Sequence, residues 1–279
     1  MELDIVKIKP FLRWAGGKRW FSKYVSNLTA EIDYNNYHEP FVGSGAVFIT
    51  LRPSKTIYLS DLNMELIETY LAVKEDVEKI ICHLKKFKNT EEEYYKIRKS
   101  KFKSDYKRAA RFIYLNQTSF NGIYRVNLNN VYNVPYGYRT KDFYEPDNLR
   151  SVSRLLQTAI ITNCDFGICL KKIKKNDLVF LDPPYTISHN NNGFIKYNQK
   201  LFSLEDQYRL SGFIDEIKKK NAFYISTNAA HHIIEEIFEK GDTKIKLHRA
   251  SLIGGENAIR GKFEEVIFTN IPTNLKIEP

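Results

Sequence analysis

The sequence predicts an α/β fold with an inserted, mainly helical lobe. Short apolar segments rich in β-branched and aromatic residues have the length and composition of strands; they are 37–41, 56–60, 158–162, 178–181, 222–226, 244–249 and 265–269. After the second of these, three helical patterns follow one another with no strand between them; they cover 65–87, 91–102 and 106–115. This break in the alternation of strand and helix indicates an insertion.

Composition narrows the class of protein. The 279 residues include 43 Lys and Arg against 33 Asp and Glu, a formal charge of +10. That balance favours a polyanionic partner, although a lysine-rich solvated surface would give the same count. The three cysteines have no metal-ligand spacing, and their odd number predicts a reducing cytoplasm without a disulfide framework. We find no signal-peptide core and no apolar run of membrane-spanning length, so we expect no membrane partner.

The strand predicted at 178–181 ends in Asp182-Pro183-Pro184-Tyr185. Prolines stiffen the backbone and have no N–H to donate, so this strand end accepts hydrogen bonds and donates almost none. Such an edge suits an exocyclic amine on a heteroaromatic ring: Asp182 and the Pro183 carbonyl would each accept one N–H, and Tyr185 would stack on the ring. The alternative is a strand that ends in an ordinary turn, because Pro and Asp are common turn residues.

A turn from Trp14 to Lys18 contains two adjacent glycines, which let the backbone approach a ligand closely. A phosphate-binding P-loop would need an earlier glycine and a Ser or Thr after the lysine, where this chain has Arg19. Lys18 would instead suit the carboxylate of an amino-acid-like ligand. The alternative is a tight turn with a surface lysine.

A second glycine loop follows the strand 37–41 and contains Gly43 and Gly45. Asp61 ends the next strand, near the place where an acidic side chain grips ribose hydroxyls in nucleotide-binding α/β units. Without a third glycine the loop disfavours NAD and favours a single-nucleoside cofactor. S-adenosylmethionine is such a cofactor, and its amino-acid end would suit Lys18.

Asp165 and Phe166 follow the strand 158–162, where a carboxylate and an aromatic ring would flank the adenine ring of such a cofactor. Asp165 would serve equally well as a helix cap. The candidate cofactor-binding residues are Trp14, Lys18, Phe41, Gly43, Gly45, Asp61, Asp165, Phe166 and Asp182.

Residues 119–137 contain two β-branched and aromatic runs around an asparagine-rich turn, which predicts a hairpin. Arg125 suits bidentate hydrogen bonds to guanine, asparagines suit adenine, and Phe120 or Ile123 would wedge between base steps. The alternative is a structural hairpin with a capping arginine. The candidate DNA-binding residues are Phe120, Asn121, Ile123, Arg125, Asn133, Pro135 and, in a later segment suited to phosphate, Arg260.

Four separated motifs occur in a distinctive order; they are Trp14-Ala15-Gly16-Gly17-Lys18, Glu39-Pro40-Phe41-Val42-Gly43-Ser44-Gly45 with Asp61, Phe120-Asn121-Gly122 through Arg125 to Asn133-Val134-Pro135-Tyr136-Gly137, and Asp182-Pro183-Pro184-Tyr185. In this order the sequence resembles the alpha group of the Dam-like DNA adenine-N6 methyltransferases. The resemblance spans about residues 11–270. It implies a Rossmann-like methyltransferase sheet with a reversed last strand.

The same resemblance implies a domain organisation and roles for individual residues. Residues 1–63 and 149–279 would form the catalytic domain, and 64–148 a target-recognition domain. Cofactor contacts would fall on Trp14, Lys18, Asp61 and Asp182. Arg125 would contact a guanine while Phe120 and Asn121 insert into the opened duplex, and the match at Pro135 extends the hairpin similarity. That similarity suggests GATC as the target.

We therefore expect methyl transfer from S-adenosylmethionine to adenine N6, flipped out of double-stranded DNA, with Asp182, Pro183 and Tyr185 as catalytic residues and no metal. The alternatives are methylation of cytosine N4 or of an RNA base, since the acceptor edge suits any ring amine, and a catalytically inactive DNA-binding regulator. We expect a prokaryotic or phage protein that works in the cytoplasm on nucleoid DNA as a monomer or weak dimer. Whether it acts alone or beside a cognate restriction endonuclease stays open.

Overall fold

The computed structural model describes residues 8–127, 129, 131–185, 202–250 and 262–272. The strands are β1 Tyr37–Glu39, β2 Ile57–Asp61, β3 Ala159–Asn163, β4 Leu178–Leu181, β5 Phe223–Ala229, β6 Thr243–Ala250 and β7 Lys262–Thr269. A short 3₁₀ helix, Lys18–Phe21, leads into the helices, which are α1 Ser22–Thr29, α2 Ala46–Leu51, α3 Met64–Leu84, α4 Glu91–Lys99, α5 Asp105–Thr118, α6 Pro146–Leu156, α7 Phe166–Cys169, α8 Leu204–Lys219 and α9 His232–Phe238. Within the described ranges, none of the helices combines the length and apolar character that a membrane crossing needs.

The described strands form a seven-stranded sheet in the order β3-β2-β1-β4-β5-β7-β6. β1 pairs in parallel with β2 and β4, and β4 pairs in parallel with β5. β7 runs antiparallel to both β5 and β6, which confirms the predicted reversed strand. Because parallel strands end at one edge of a sheet, ligands of open α/β sheets bind at that edge.

The chain divides into two compact units, each made of three segments. The first unit comprises Met1–Lys23, Val42–Ser54 and Asp61–Asn163; the second comprises Tyr24–Phe41, Lys55–Ser60 and Cys164–Pro279. Residues 64–148, the predicted target-recognition domain, lie entirely in the first unit. That assignment of function remains a prediction.

The first unit is built around α3, which packs against α5 and α6. The helix begins where the Asn63 side chain accepts a hydrogen bond from Leu66 N, at 3.0 Å. Its buried residues recur at helical spacing, and they are Leu66, Ile67, Thr69, Tyr70, Ala72, Val73, Ile80, Ile81 and Leu84. A single non-helical residue, Asp76, bends it. The three successive helices predicted from the sequence are therefore present.

The second unit has its core between β4, β5 and β7 and the helix α8. β4 is buried at every position, as the apolar run 178–181 predicts for a central strand. Helix α8 begins with a capping box, in which Ser203 and Asp206 each accept a hydrogen bond from the other's backbone. This rigid frame holds the carboxyl end of β4.

The predicted hairpin is only partly formed by the described residues. Antiparallel bridges join Ser119 to Tyr136 and Val126 to Tyr132, with no continuous ladder between them. Between the bridges, Asn121 adopts a positive φ of 53° inside a short 3₁₀ turn. The Asn127 side chain accepts hydrogen bonds from the backbone of residues 129 and 131. Local side-chain bonds of this kind compete with a strand ladder, so the segment is a looped arm.

Candidate active site

The glycine loop of the first unit leaves no room for side chains. Gly43 and Gly45 have positive φ angles of 45° and 66°. A Cβ on Gly43 would lie 2.8 Å from Trp14 Cδ1, and one on Gly45 would lie 2.9 Å from the Tyr70 hydroxyl. Tyr70 also donates a hydrogen bond to the Gly43 carbonyl, at 3.1 Å. The loop therefore requires glycine at both positions, for conformation and for space.

Asp61 lies beside this loop at the end of β2. Its carboxylate accepts hydrogen bonds from the backbone N–H of Gly43, at 3.1 Å, and of Asn63, at 3.0 Å. Burial raises the pKa of Asp61, and the backbone hydrogen bonds act in the opposite direction. The structure thus brings the glycine loop and the predicted ribose-binding carboxylate together within the first unit.

The Trp14 ring lies against the same loop at Gly43, and Lys18 follows in the turn that contains Gly16 and Gly17. The Trp14 indole stacks on Tyr124, with ring centroids 5.7 Å apart. The Lys18 side chain is only 2% exposed, and its Nζ donates to the Gly16 carbonyl at 3.0 Å. A surface lysine, the alternative considered from the sequence, is therefore wrong. Burial of a lysine is costly unless its ammonium is compensated, which makes this position unusual.

In the second unit, Asp182 follows the last residue of β4. The parallel register sets Leu181 opposite Ser226, so the next residues, Asp182 and Thr227, lie side by side. Thr227 is fully buried and its Oγ1 donates to Asp182 Oδ1 at 2.8 Å. The carboxylate is thereby oriented before any ligand binds.

Tyr185 is hydrogen-bonded to a residue of the antiparallel strand β7. Its hydroxyl donates to Glu265 Oε2 at 2.6 Å, and Glu265 is only 2% exposed. Between Asp182 and Tyr185, Pro183 is buried and has no N–H. The four residues of the motif therefore have a carboxylate anchored by β5 at one end and a phenol anchored by β7 at the other.

Phe41, Asp165 and Phe166 form a third group, also within the second unit. Asp165 caps α7 by accepting from Gly167 N at 2.9 Å, the alternative that the sequence left open, and it pairs with Arg209 at the same distance. Phe166 is buried in the core, 5.4 Å from the Phe41 ring. Arg209 also lies over the Phe166 ring, 4.9 Å from its centroid. Their roles as cofactor contacts remain proposals.

The predicted DNA-binding residues of the arm lie at the surface of the first unit. Phe120 is half exposed, and Arg125 is exposed with its Nε donating to Asn133 Oδ1 at 2.9 Å. The Pro135 carbonyl accepts from Phe120 N at 2.9 Å. Ile123 is partly exposed and Asn121 is exposed. Arg260 lies outside the described residues.

Three partners were not assigned a role from the sequence: Tyr70, Thr227 and Glu265. Successive strand residues face opposite sides of a sheet. In the predicted strand 265–269, Glu265 therefore shares a face with Ile267, a signal that identifies it as a candidate for an inward-facing carboxylate. Tyr70 carried no such signal, because a buried aromatic residue at helical spacing is an ordinary core residue. As for metals, the described part of the chain contains no group of three or more His, Cys, Asp or Glu residues suited to an ion.

Comparison with known proteins identifies the family. A model of the D12 class N6 adenine-specific DNA methyltransferases matches residues 14–251. The Type II methyltransferase M1.LlaDCHI of Lactococcus lactis subsp. cremoris is 34% identical over 97% of this chain and 98% of its own length. The Type II methyltransferase M.MjaIII of Methanocaldococcus jannaschii is 37% identical over 80% and 85%. The DNA adenine methylase of Haemophilus influenzae is 31% identical over 94% of each chain.

These matches cover most of the chain. They favour an enzyme over an inactive DNA-binding protein, and adenine N6 over cytosine N4. The chain belongs to the D12 class N6 adenine-specific DNA methyltransferase family, and it is an adenine-specific DNA methyltransferase whose family membership implies S-adenosylmethionine as the methyl donor.

Proposed function

We propose that this protein methylates N6 of an adenine flipped out of double-stranded DNA, that it uses S-adenosylmethionine, and that its recognition sequence is GATC. The observation that carries the proposal is the acceptor edge at the end of β4, where Asp182 is oriented by buried Thr227 and is followed by a proline. The names of the Type II relatives support action beside a cognate restriction endonuclease.

The first unit fits the cofactor. An added Cβ at Gly43 or Gly45 would fill the space beside its glycine loop. The Asp61 carboxylate accepts a hydrogen bond from Gly43 N in this loop. Trp14 lies against the loop, and Lys18, four residues after Trp14, is buried. Trp14, Lys18, Gly43, Gly45 and Asp61 would hold the nucleoside and its amino-acid end. When bound, S-adenosylmethionine supplies a methyl group activated by a positively charged sulfur.

The second unit supplies the groups that act on adenine. An aromatic amine is a poor nucleophile because its lone pair is shared with the ring. Asp182 and the Pro183 carbonyl would each accept one N–H of that amine, which favours a tetrahedral nitrogen with a localised lone pair. The proton leaves the nitrogen after methylation, so Asp182 orients and polarises the amine and is not required as a strong base.

Orientation accounts for a large part of the expected rate. Holding two reacting groups in a near-attack geometry lowers a barrier by roughly 7–11 kcal/mol. Tyr185 would stack on the target base, and its hydrogen bond to Glu265 fixes the plane that the ring can adopt. Thr227 does the same for the Asp182 carboxylate.

Recognition of the site falls to the arm of the first unit. The hydrogen bond from Arg125 to Asn133 fixes the guanidinium at an exposed position, as bidentate contact with a guanine requires. Phe120, half exposed beside the strained Asn121, would fill the gap that the flipped base leaves. Ile123 and Pro135 complete this surface.

The test is transfer of labelled methyl groups to two matched duplexes, one with GATC and one with that site scrambled, followed by analysis of the nucleosides. We expect label in N6-methyladenine with the first duplex alone. Equal labelling of both would overturn the GATC assignment and keep the chemistry. Label in N4-methylcytosine would overturn the assignment of the base, and label in neither duplex would overturn the assignment of the activity.

A further inference from the structure

Two thiols face each other across the first turn of α7. Cys164 directly precedes the capping residue Asp165, and Cys169 is the last residue of the helix. Cys164 is the residue before the N-cap, and Cys169 is the fourth residue of the helix. Side chains at these two positions commonly contact each other at the start of a helix. Their Sγ atoms lie 4.0 Å apart, and both residues are partly exposed.

The two thiols have different surroundings. Cys169 Sγ lies 3.1 Å from Ser60 Oγ and packs against the core of the second unit. Burial raises the pKa of Cys169 to about 12, and the nearby Cys164 adds to this rise. Because the thiolate is the reactive form, Cys169 is a poor first target for an oxidant at neutral pH. Cys164 is therefore the thiol that reacts first, and Cys169 is the second thiol within reach.

We propose that Cys164 and Cys169 are a modification site, an oxidisable dithiol whose disulfide form weakens binding of the nucleoside cofactor. The proposal rests on the proposed use of S-adenosylmethionine and on the prediction from the sequence that Asp165 and Phe166, the residues directly after Cys164, contact it. The oxidant is a peroxide. In a reducing cytoplasm such a disulfide is transient, as expected of a redox-sensing pair.

The chemistry balances with one peroxide. The Cys164 thiolate attacks one oxygen of hydrogen peroxide, the O–O bond breaks, and sulfenic acid and hydroxide form. The Cys169 sulfur then attacks the Cys164 sulfur, the S–O bond breaks, and the S–S bond forms as the second oxygen leaves as water. Two thiols lose two electrons and two protons to the peroxide, which becomes two water molecules. A dithiol reductant reverses the reaction by thiol–disulfide exchange.

We expect closing the disulfide to move the segment between the thiols. An S–S bond is about 2.05 Å long, so the sulfurs must approach each other by about 2 Å. Cys169 would leave Ser60, and the cap at Asp165 would shift with Cys164. Asp165 is held by Gly167 and Arg209, and Phe166 is packed in the core. Movement at one end of such a tightly held turn changes the positions of both side chains.

The experiment uses the full chain with Cys82→Ser, because Cys82 is exposed and would form disulfides between molecules. The protein is treated with hydrogen peroxide, mapped by mass spectrometry without reduction, and titrated with S-adenosylmethionine by calorimetry before and after treatment. Cys164→Ser and Cys169→Ala are the matched variants. Circular dichroism checks that each variant is folded, and Cys164→Ser is the variant least prone to misfold, because Cys169 packs against the core of the second unit.

We expect the oxidised protein to contain the Cys164–Cys169 disulfide and to bind the cofactor about tenfold more weakly, with full recovery on reduction. In both cysteine variants peroxide should leave the affinity unchanged. The proposal is overturned if no such disulfide forms, or if it forms and the affinity does not change. If the reduced protein does not bind S-adenosylmethionine, the proposed function is overturned, and with it the effect of the disulfide on cofactor binding. The disulfide map would still show whether Cys164 and Cys169 form a disulfide.

Discussion

The two units hold their functional residues by different means. In the first unit the predicted cofactor site centres on a loop with two glycines at positive φ, where an added Cβ would lie 2.8 Å from Trp14 or 2.9 Å from Tyr70. In the second unit the acceptor edge is formed by side chains, each anchored by a buried partner, Thr227 for Asp182 and Glu265 for Tyr185. The first arrangement controls fit, and the second controls orientation. Substitutions in the glycine loop should therefore change cofactor affinity, and those at the anchors of Asp182 and Tyr185 should change the rate of methyl transfer.

The largest expected effect is at Asp182. Replacement by alanine removes the acceptor of one N–H, and we expect the methylation rate to fall by about 10²–10³-fold, the usual cost of losing one oriented polar group at a reacting centre. The protein should stay folded, because Asp182 is partly exposed at a strand end. Rates measured with labelled cofactor and melting curves check both statements. Retained turnover would remove Asp182 from the catalytic residues.

The next effect is at Gly43. Alanine would be strained at a φ of 45° and would meet Trp14 at 2.8 Å. At a cost of about 1–3 kcal/mol for such strain, cofactor affinity should fall by about 10- to 100-fold in calorimetry. Gly212→Ala is the matched control, because a Cβ there meets nothing within 4 Å and the residue lies in α8. It should leave affinity unchanged and stabilise the helix by about 1 kcal/mol.

Variants of Glu265 test whether orientation of the Tyr185 ring contributes to the rate of methyl transfer. Glu265→Ala leaves the Tyr185 hydroxyl without its acceptor, and we expect kcat to fall by about tenfold, while Glu265→Gln, which keeps an oxygen acceptor, recovers most of the rate. A double-mutant cycle with Tyr185→Phe tests whether the loss of kcat in Glu265→Ala depends on the Tyr185 hydroxyl. If Glu265 acts through the Tyr185 hydroxyl, the double variant should be no worse than Glu265→Ala alone. Fully additive losses would show that Glu265 acts elsewhere.

Asp177, at the amino end of β4, is a buried carboxylate to which we assign no catalytic role, and it contrasts with Asp182 at the carboxyl end. Asp177, just before the strand, has a side chain 0% exposed and lies 2.8 Å from His38 Nε2. Burial alone would raise the pKa of Asp177, but hydrogen bonds from His38, Asn36 and Lys174 outweigh it and hold the pKa below the ordinary value. A carboxylate with a lowered folded-state pKa adds stability that is fully present above its unfolded pKa, about 3.9, and lost as the pH falls through its folded value.

Asp177→Asn should therefore lower the free energy of unfolding by about 1–3 kcal/mol at neutral pH and reduce its dependence on pH below about 4. Denaturant titrations at neutral and acid pH measure both. Methyl transfer per folded molecule should not change. A loss of activity without a loss of stability would contradict the separation of the two ends of the strand.

Sequence patterns predicted where β4 ends, because an apolar run of strand length is followed by Pro183 and Pro184, through which no strand continues. The glycine loop was predicted from its place directly after one strand and from Asp61 at the end of the next. The anchors were harder to predict, because Thr227 becomes a partner of Asp182 only through the register of two strands separated by more than 40 residues in the chain. The arm was predicted as a hairpin and has two isolated antiparallel bridges, while the Asn127 side chain takes up backbone N–H groups of its turn. Local propensity does not reveal such competition.

The measurement that tests this division most directly is the single-turnover rate of methyl transfer at saturating cofactor and DNA, for Gly43→Ala and Thr227→Val side by side. Saturation hides a defect in affinity but not a defect in orientation. We predict that Gly43→Ala recovers to within about threefold of the unaltered protein, while Thr227→Val, which loses the hydrogen bond to Asp182 without a change of shape, stays about tenfold slower. A full rate for Thr227→Val together with a slow Gly43→Ala would contradict the account.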